Sequence, residues 1–303
     1  MKKKFFMAGI ILLVAAACSK ESVDMVNNAQ MEEAVETVAP VRVHVSDFAV
    51  EMLDFSGTTR AAQNVGDYNG VKVITLAFYA GDGTEQYKTT QVKGSLEEGE
   101  TFGEFSTSLP MGSYTMVVLA HGKDVDDALV LTSPTAAEYT GEHTRETFAY
   151  TQEVNITNGD AVELSATLNR IVSKLVVNST DGRTANLSNI RMTFSAGGKA
   201  FSPTTGLATV NTGFAHTVGN SKAVGQTTSS TSYIFLATDE QNIDVTIETL
   251  DADGNTLFSK TVENVPFKRN RSTVLTGVMY TNDALSGAFQ VETAWLSDYN
   301  VAF

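Results

Sequence analysis

From Val41 onward the chain alternates apolar and polar residues with a period of two. Val41, Val43 and Val45 interleave with Arg42, His44 and Ser46, which is the pattern of a strand with one buried face. The same alternation recurs at Ile190–Phe194, at Ile243–Ile247 and at Phe289–Val291. Longer apolar runs at Val71–Ala80, Tyr114–Ala120 and Tyr233–Ala237 predict strands in the centre of a sandwich. Between the runs stand Gly81-Asp82-Gly83, Asp181-Gly182, Gly197-Gly198 and Asp253-Gly254, residues that tolerate the positive φ of tight turns. No long helical period interrupts this pattern, and Thr135–Tyr150 reads as a helical turn or an extended loop. Many short strands with tight turns predict an all-β chain of sandwiches. The polar, turn-forming stretch Thr157-Asn158-Gly159-Asp160 divides it into blocks 41–160 and 161–303. Residues 19–40 are polar and acidic and read as a tether, with only a weak helical period over Met31–Val38.

The first residues follow a different logic. Lys2, Lys3 and Lys4 precede an apolar stretch from Phe5 to Ala17, and Ala15-Ala16-Ala17 lead into Cys18. The stretch is shorter than the ~20 apolar residues a membrane-spanning helix needs, and its layout is that of a secretory signal. Ending on a cysteine after small residues, it predicts a bacterial lipoprotein signal, although Ala15 stands where Leu is more common. The Cys18 thiol would take a diacylglycerol and become the new N-terminus, anchoring the chain in a bilayer. Cys18 is the chain's one cysteine, so in an oxidising compartment it has no disulfide partner and lipidation accounts for it. Ser19 rather than Asp follows it, which favours the outer membrane.

Removing residues 1–17 of 303 leaves 286 residues, enough for two domains of ordinary size. It also removes three of the 21 basic residues, leaving 18 against 35 acidic ones, a formal charge of −17. An acidic surface repels phosphate backbones, so no nucleic-acid partner is expected.

Chemistry-bearing constellations are few. The four histidines, His44, His121, His143 and His216, lack metal-ligand spacing and read as surface or edge-strand residues, with no metal or cofactor implied. There is no H-E-x-x-H, nucleophile elbow or P-loop, so the chain reads as a non-enzyme. Asp251-Ala252-Asp253-Gly254-Asn255 looks like part of a calcium loop but lacks the distant bidentate Glu, and reads as a hairpin turn. Asp124, Asp126 and Asp127 read as a solvated loop. Trp295, the one tryptophan, reads as a core or groove-filling aromatic, with a sugar-stacking platform as the alternative. Asn155-Ile156-Thr157 and Asn186-Leu187-Ser188 fit the N-glycosylation pattern, which the bacterial export signal argues against.

Four segments, in order along the chain, carry a resemblance. They are DFSGTTRAA (Asp54–Ala62), LPMGSY followed by MVVLAHG (Leu109–Gly122), LNRIVSKL (Leu168–Leu175) and VPFKRNRSTVLTG (Val265–Gly277). Together they resemble the fimbrillin superfamily of Bacteroidetes, the major and minor subunits of type V pili and their anchor lipoproteins. The resemblance implies two transthyretin-like β-sandwich domains in tandem, the first covering 41–160 and the second 161–303. It also implies assembly by strand exchange. A surface protease cuts the lipidated precursor after an arginine, an N-terminal strand leaves, and a strand from another subunit fills the vacated edge.

On this chain the implied parts are Val41–Val50 as the removable strand (41–60 as the propeptide segment), Arg60-Ala61 as the cleaved bond and 289–303 as the donor segment. Phe289, Val291, Thr293 and Trp295 would alternate as pocket-filling residues. A vacant strand edge offers unpaired N–H and C=O groups, and head-to-tail filling of it builds a filament. The expected product is an outer-membrane lipoprotein that becomes a subunit of a cell-surface fimbrium. Its partners would be other fimbrial subunits, a surface protease and a ligand on a host or bacterial surface. The alternatives are an uncut, lipid-anchored accessory subunit and a glycan-binding surface lipoprotein.

Overall fold

The computed structural model of the chain describes residues 37–48, 65–122, 129–280 and 289–292. All regular structure among them is β-strand. The N-terminal lobe contains β1 (Val38–Phe48), β2 (Val73–Ala80), β3 (Glu85–Val92), β4 (Glu104–Pro110), β5 (Gly112–His121), β6 (Leu129–Ser133), β7 (Ala136–Tyr139), β8 (Thr147–Ile156) and β9 (Val162–Arg170). Seven of these lie in the order β3-β2-β5-β8-β9-β1-β4. β8 and β9 share only the pairs Phe148↔Arg170 and Ala149↔Asn169. At that seam the sheet folds over, and β9-β1-β4 packs against β3-β2-β5-β8.

The core between these layers takes Val41, Val43 and Val45 from β1, Ile74, Leu76 and Phe78 from β2, and Met116 and Val118 from β5. β2 and β5 also bury their opposite faces, through Ala77, Tyr79, Val117 and Leu119. Burial on both sides is why these two segments read as continuous apolar runs.

The C-terminal lobe is a second two-layer arrangement. One sheet runs β14 (Ser229–Ile234), β10 (Ser173–Ser179), β17 (Ser272–Gly277), β18 (Gln290–Glu292), and the facing one runs β13 (Phe214–Gly219), β11 (Asn189–Phe194), β15 (Glu240–Leu250), β16 (Thr256–Lys268). Its core comes from strict alternation. Leu175 and Val177, Ile190, Met192 and Phe194, and Ile243, Val245 and Ile247 are buried, while the residues between them are part-exposed.

A third core joins the lobes. The hairpin β6–β7 and the short strand β12 (Ala200–Phe201) form a small sheet in which Ala200 pairs with Glu138 and Phe201 with Ala137. Behind it Phe201 and Phe235 stack at 4.1 Å between centroids, and Tyr139 lies 6.3 Å from Phe235. Aromatic pairs at these spacings are favourable beyond the area they bury. The lobes are therefore joined by a closed apolar junction as well as by the chain.

Three expectations change. Residues 38–40, read as tether, are the start of β1, with Ala39 fully buried. Pro40 hides this in the sequence, since proline has no N–H for a ladder. Here it sits before the first β1–β9 pair, Val41↔Val162, where among the described residues β1 is flanked by β4 alone. Thr135–Tyr150, read as a helical turn or loop, holds β7 and the start of β8. Val162–Arg170, placed at the start of the C-terminal block, pairs with β1 and β8, because the Thr157–Asp160 turn returns the chain to the same sandwich.

The motifs behind the family resemblance have structural causes. Tyr114 folds back so that its hydroxyl donates to the Pro110 carbonyl at 2.7 Å, bracing the crossing from β4 to β5. A Cβ at Gly112 would stand 3.2 Å from the same hydroxyl. Arg170 and Asn270, from the third and fourth motifs, meet at 2.8 Å across the junction.

Candidate assembly site

β1 occupies a slot between β9 and β4. It runs parallel to β9 from Val41↔Val162 to Phe48↔Leu168 and antiparallel to β4 from Val38↔Pro110 to His44↔Glu104. Ala39, Val41, Val43 and Val45 point inward, each no more than 1% exposed. Outward, Arg42 reaches Glu163 at 3.2 Å, and the His44 ring meets the Glu104 carboxylate. The inward residues carry the energy, since exposed ion pairs are worth little. Full burial of a valine is worth about 1.5–3 kcal/mol, so three valines supply roughly 5–9 kcal/mol gross. That upper estimate is comparable with the whole net stability of an ordinary domain, about 5–15 kcal/mol.

β4 depends on this strand. Among the described residues its only ladder partner is β1. Its start is held from the side by Gln91, whose Nε2 donates to the carbonyl oxygens of Glu104 at 2.8 Å and Thr101 at 3.3 Å. The Gly103 N–H donates back to Gln91 Oε1 at 2.8 Å. Gly103 has φ +94°, and a Cβ there would stand 2.7 Å from the Val45 carbonyl oxygen and 3.1 Å from Val65 Cγ1. The slot is therefore closed tightly around β1 at its Val45 end.

The C-terminal segment begins at a second edge. β18 pairs antiparallel with β17, Leu275 opposite Val291, and the Phe289 ring lies against Gly277, where a Cβ would stand 2.7 Å from it. Phe289 and Val291 are thus placed next to each other on the C-terminal lobe. Cys18, Arg60, Ala61, Thr293 and Trp295 lie outside the described residues, as do Asp124, Asp126 and Asp127.

One charged group sits deep in the junction. Arg170 donates through Nε to Glu146 Oε1 at 2.7 Å, and its guanidinium lies 5.2 Å from the centroid of the Phe148 ring. Tyr68 donates to both oxygens of Glu146 at 2.8 and 2.9 Å. Burial, with the Glu146 charge next in weight, pushes the Tyr68 hydroxyl far above its ordinary range. Nothing in the spacing of Tyr68, Glu146 and Arg170 announces this cluster.

Of the histidines, His44 is exposed, His216 is buried on the edge strand β13, and His121 is buried at the end of β5. Burial lowers the His121 pKa, against a smaller upward pull from the Gly122 carbonyl. His143 and His216 meet with ring centroids 4.4 Å apart, yet no group of three metal-ligating side chains forms among the described residues. Asp251 closes the β15–β16 hairpin, accepting from Asn255 N–H at 2.8 Å and Asp253 N–H at 3.0 Å. That is the turn its sequence predicted.

The same arrangement of strands is found in solved structures. The fimbrial anchor protein Mfa2 from Porphyromonas gingivalis superposes with a TM-score of 0.51 at 12% identity, over 84% of this chain and 97% of that one. A candidate adhesin from Bacteroides ovatus gives 0.50 at 13% identity, over 84% and 91%. Another from Bacteroides thetaiotaomicron gives 0.50 at 10% identity, over 86% and 98%. The chain thus shares the all-β fold of these proteins. At the level of sequence the chain belongs to DUF6562, a family of unknown function whose model matches residues 37–300. No curated protein sequence matches it.

Proposed function

We propose that the chain is a structural subunit of a cell-surface fimbria, exported as a lipoprotein through Cys18, cut between Arg60 and Ala61, and assembled by strand exchange. Its role is mechanical and adhesive, not catalytic. The observation that carries this reading is the position of β1. A strand near the start of the described residues fills the core of a sandwich from between two other strands, and Arg60 follows its last residue, Phe48, in the sequence. A cut there would free β1, together with the lipid, from the rest of the sandwich. The vacated slot would offer both edges and a row of apolar pockets to a strand from a neighbouring subunit. The segment 289–303, of which residues 290–292 pair with β17, would in turn serve as the donor strand for another subunit. We take the two lobes as tandem transthyretin-like sandwiches, with residues 18–37 as the tether.

A second reading has its own support. The likeness to the anchor protein Mfa2 fits a subunit that keeps β1 and its lipid and stays at the membrane. The variant Arg60→Ala separates the two. If the chain is a cut subunit, the variant accumulates as a lipid-bearing precursor and is lost from the heat-sensitive ladders that fimbriae give on gels. Ladders unchanged by the substitution contradict cleavage and leave the anchor role.

A further inference from the structure

The slot around β1 selects by side-chain size and charge, and this bears on which strand replaces β1. The inference rests on the reading that β1 leaves. Its inward positions hold Ala39, Val41, Val43 and Val45, all essentially without exposure. A replacement strand must bridge β9 and β4, because β4 has no other ladder partner among the described residues. It must therefore present four alternate side chains to the same pockets. Those pockets are filled: the four side chains belong to one buried core with Val65, Ile74, Leu76 and Phe105.

The segment 289–303 of this chain does not meet that requirement in any register. Of residues 289–303, the odd-numbered set brings Phe289, Trp295 or Tyr299 into every run of four alternate positions. The even-numbered set brings Glu292 or Asp298 into every run. An aromatic ring in a valine-sized pocket forces strain, and a carboxylate there is buried without a partner. We infer that the slot accepts a strand from a different subunit, one carrying uncharged side chains no larger than valine at four alternate positions, and that it rejects the segment 289–303 of a second copy. The strand that replaces β1 would then come from a different subunit and not from 289–303 of a second copy.

The test uses the full mature chain, cut with an arginine-specific protease and probed with a fluorescent peptide of residues 37–48. Unlabelled peptides compete for the slot: residues 37–48 themselves, the same peptide with Val43→Trp, and residues 289–303. The expected result is that the Val43→Trp peptide and the 289–303 peptide compete at least about tenfold more weakly than the parent. The cut chain alone would form no ladder. Competition by 289–303 equal to the parent, or ladders from the cut chain by itself, overturns the inference.

A second measurement needs no cut. Val43→Trp in the intact chain lowers the thermal midpoint by at least about 4 °C if the pocket is closed to large groups. An unchanged midpoint overturns the size selectivity. Retention of the labelled β1 fragment after cutting, with Val43→Trp still destabilising, overturns the strand-release reading and leaves the selectivity of the slot standing.

Discussion

Under the proposed role, the lobe junction gives the most direct handle on how force would pass through the chain. In a filament each subunit is held at two points, so its lobes must not part between them. Phe235→Ala removes one of two stacked rings from a site where Phe201, Phe235 and Tyr139 are all essentially without solvent contact. Removing a buried phenylalanine costs about 3–5 kcal/mol, because the lost transfer energy is joined by the cost of the cavity. For a chain of this size each kcal/mol moves the midpoint by roughly 2–4 °C, so a fall of about 6–20 °C is expected. The parent should melt in one transition, since the third core draws on both lobes. Differential scanning calorimetry of both proteins checks this. Two separated transitions in the parent, with Phe235→Ala moving neither by more than about 1 °C, would refute the junction as a shared core.

Three further outcomes follow from the same structure. Arg170→Met leaves Glu146 buried without its cation and costs about 3–5 kcal/mol in urea unfolding, and adding Glu146→Gln recovers part of it. His121, whose folded pKa lies below its ordinary 6.5, is held neutral. Its contribution is intact above about pH 6.5 and falls as pH drops toward the folded value, by up to about 1.4 kcal/mol per unit. Urea midpoints at pH 7.5 and 5.5 should therefore differ less in His121→Asn than in the parent. Gly103→Ala places a Cβ against the Val45 carbonyl at a positive φ, so β1 should become more open to proteolysis and amide exchange while the C-terminal lobe keeps its protection.

The sequence was legible where one face of a strand is buried and the other is wet. The alternations at Val41–Val45, Ile190–Phe194 and Ile243–Ile247 became β1, β11 and β15, because period two is how a half-buried strand must be written. Val162, Leu164, Ala166 and Leu168 alternate just as plainly, but alternation says nothing of which sheet a strand joins. β9 is partnered by β1, more than a hundred residues earlier in the chain, and only the ladder reveals it. Pro40 masked the start of β1 through its missing N–H. The Tyr68–Glu146–Arg170–Asn270 cluster was invisible because its members come from four separate segments with no shared spacing. Of the candidate site, the alternation of β1 could be read directly. Its neighbours, and hence the size of its pockets, could not.

The central claim is that the chain is cut after Arg60 and loses β1 with its lipid. N-terminal sequencing and intact mass of the protein recovered from the cell surface test it most directly. The account predicts a chain beginning at Ala61 and carrying no acyl group. A chain beginning at a lipidated Cys18, with β1 still attached, would contradict it.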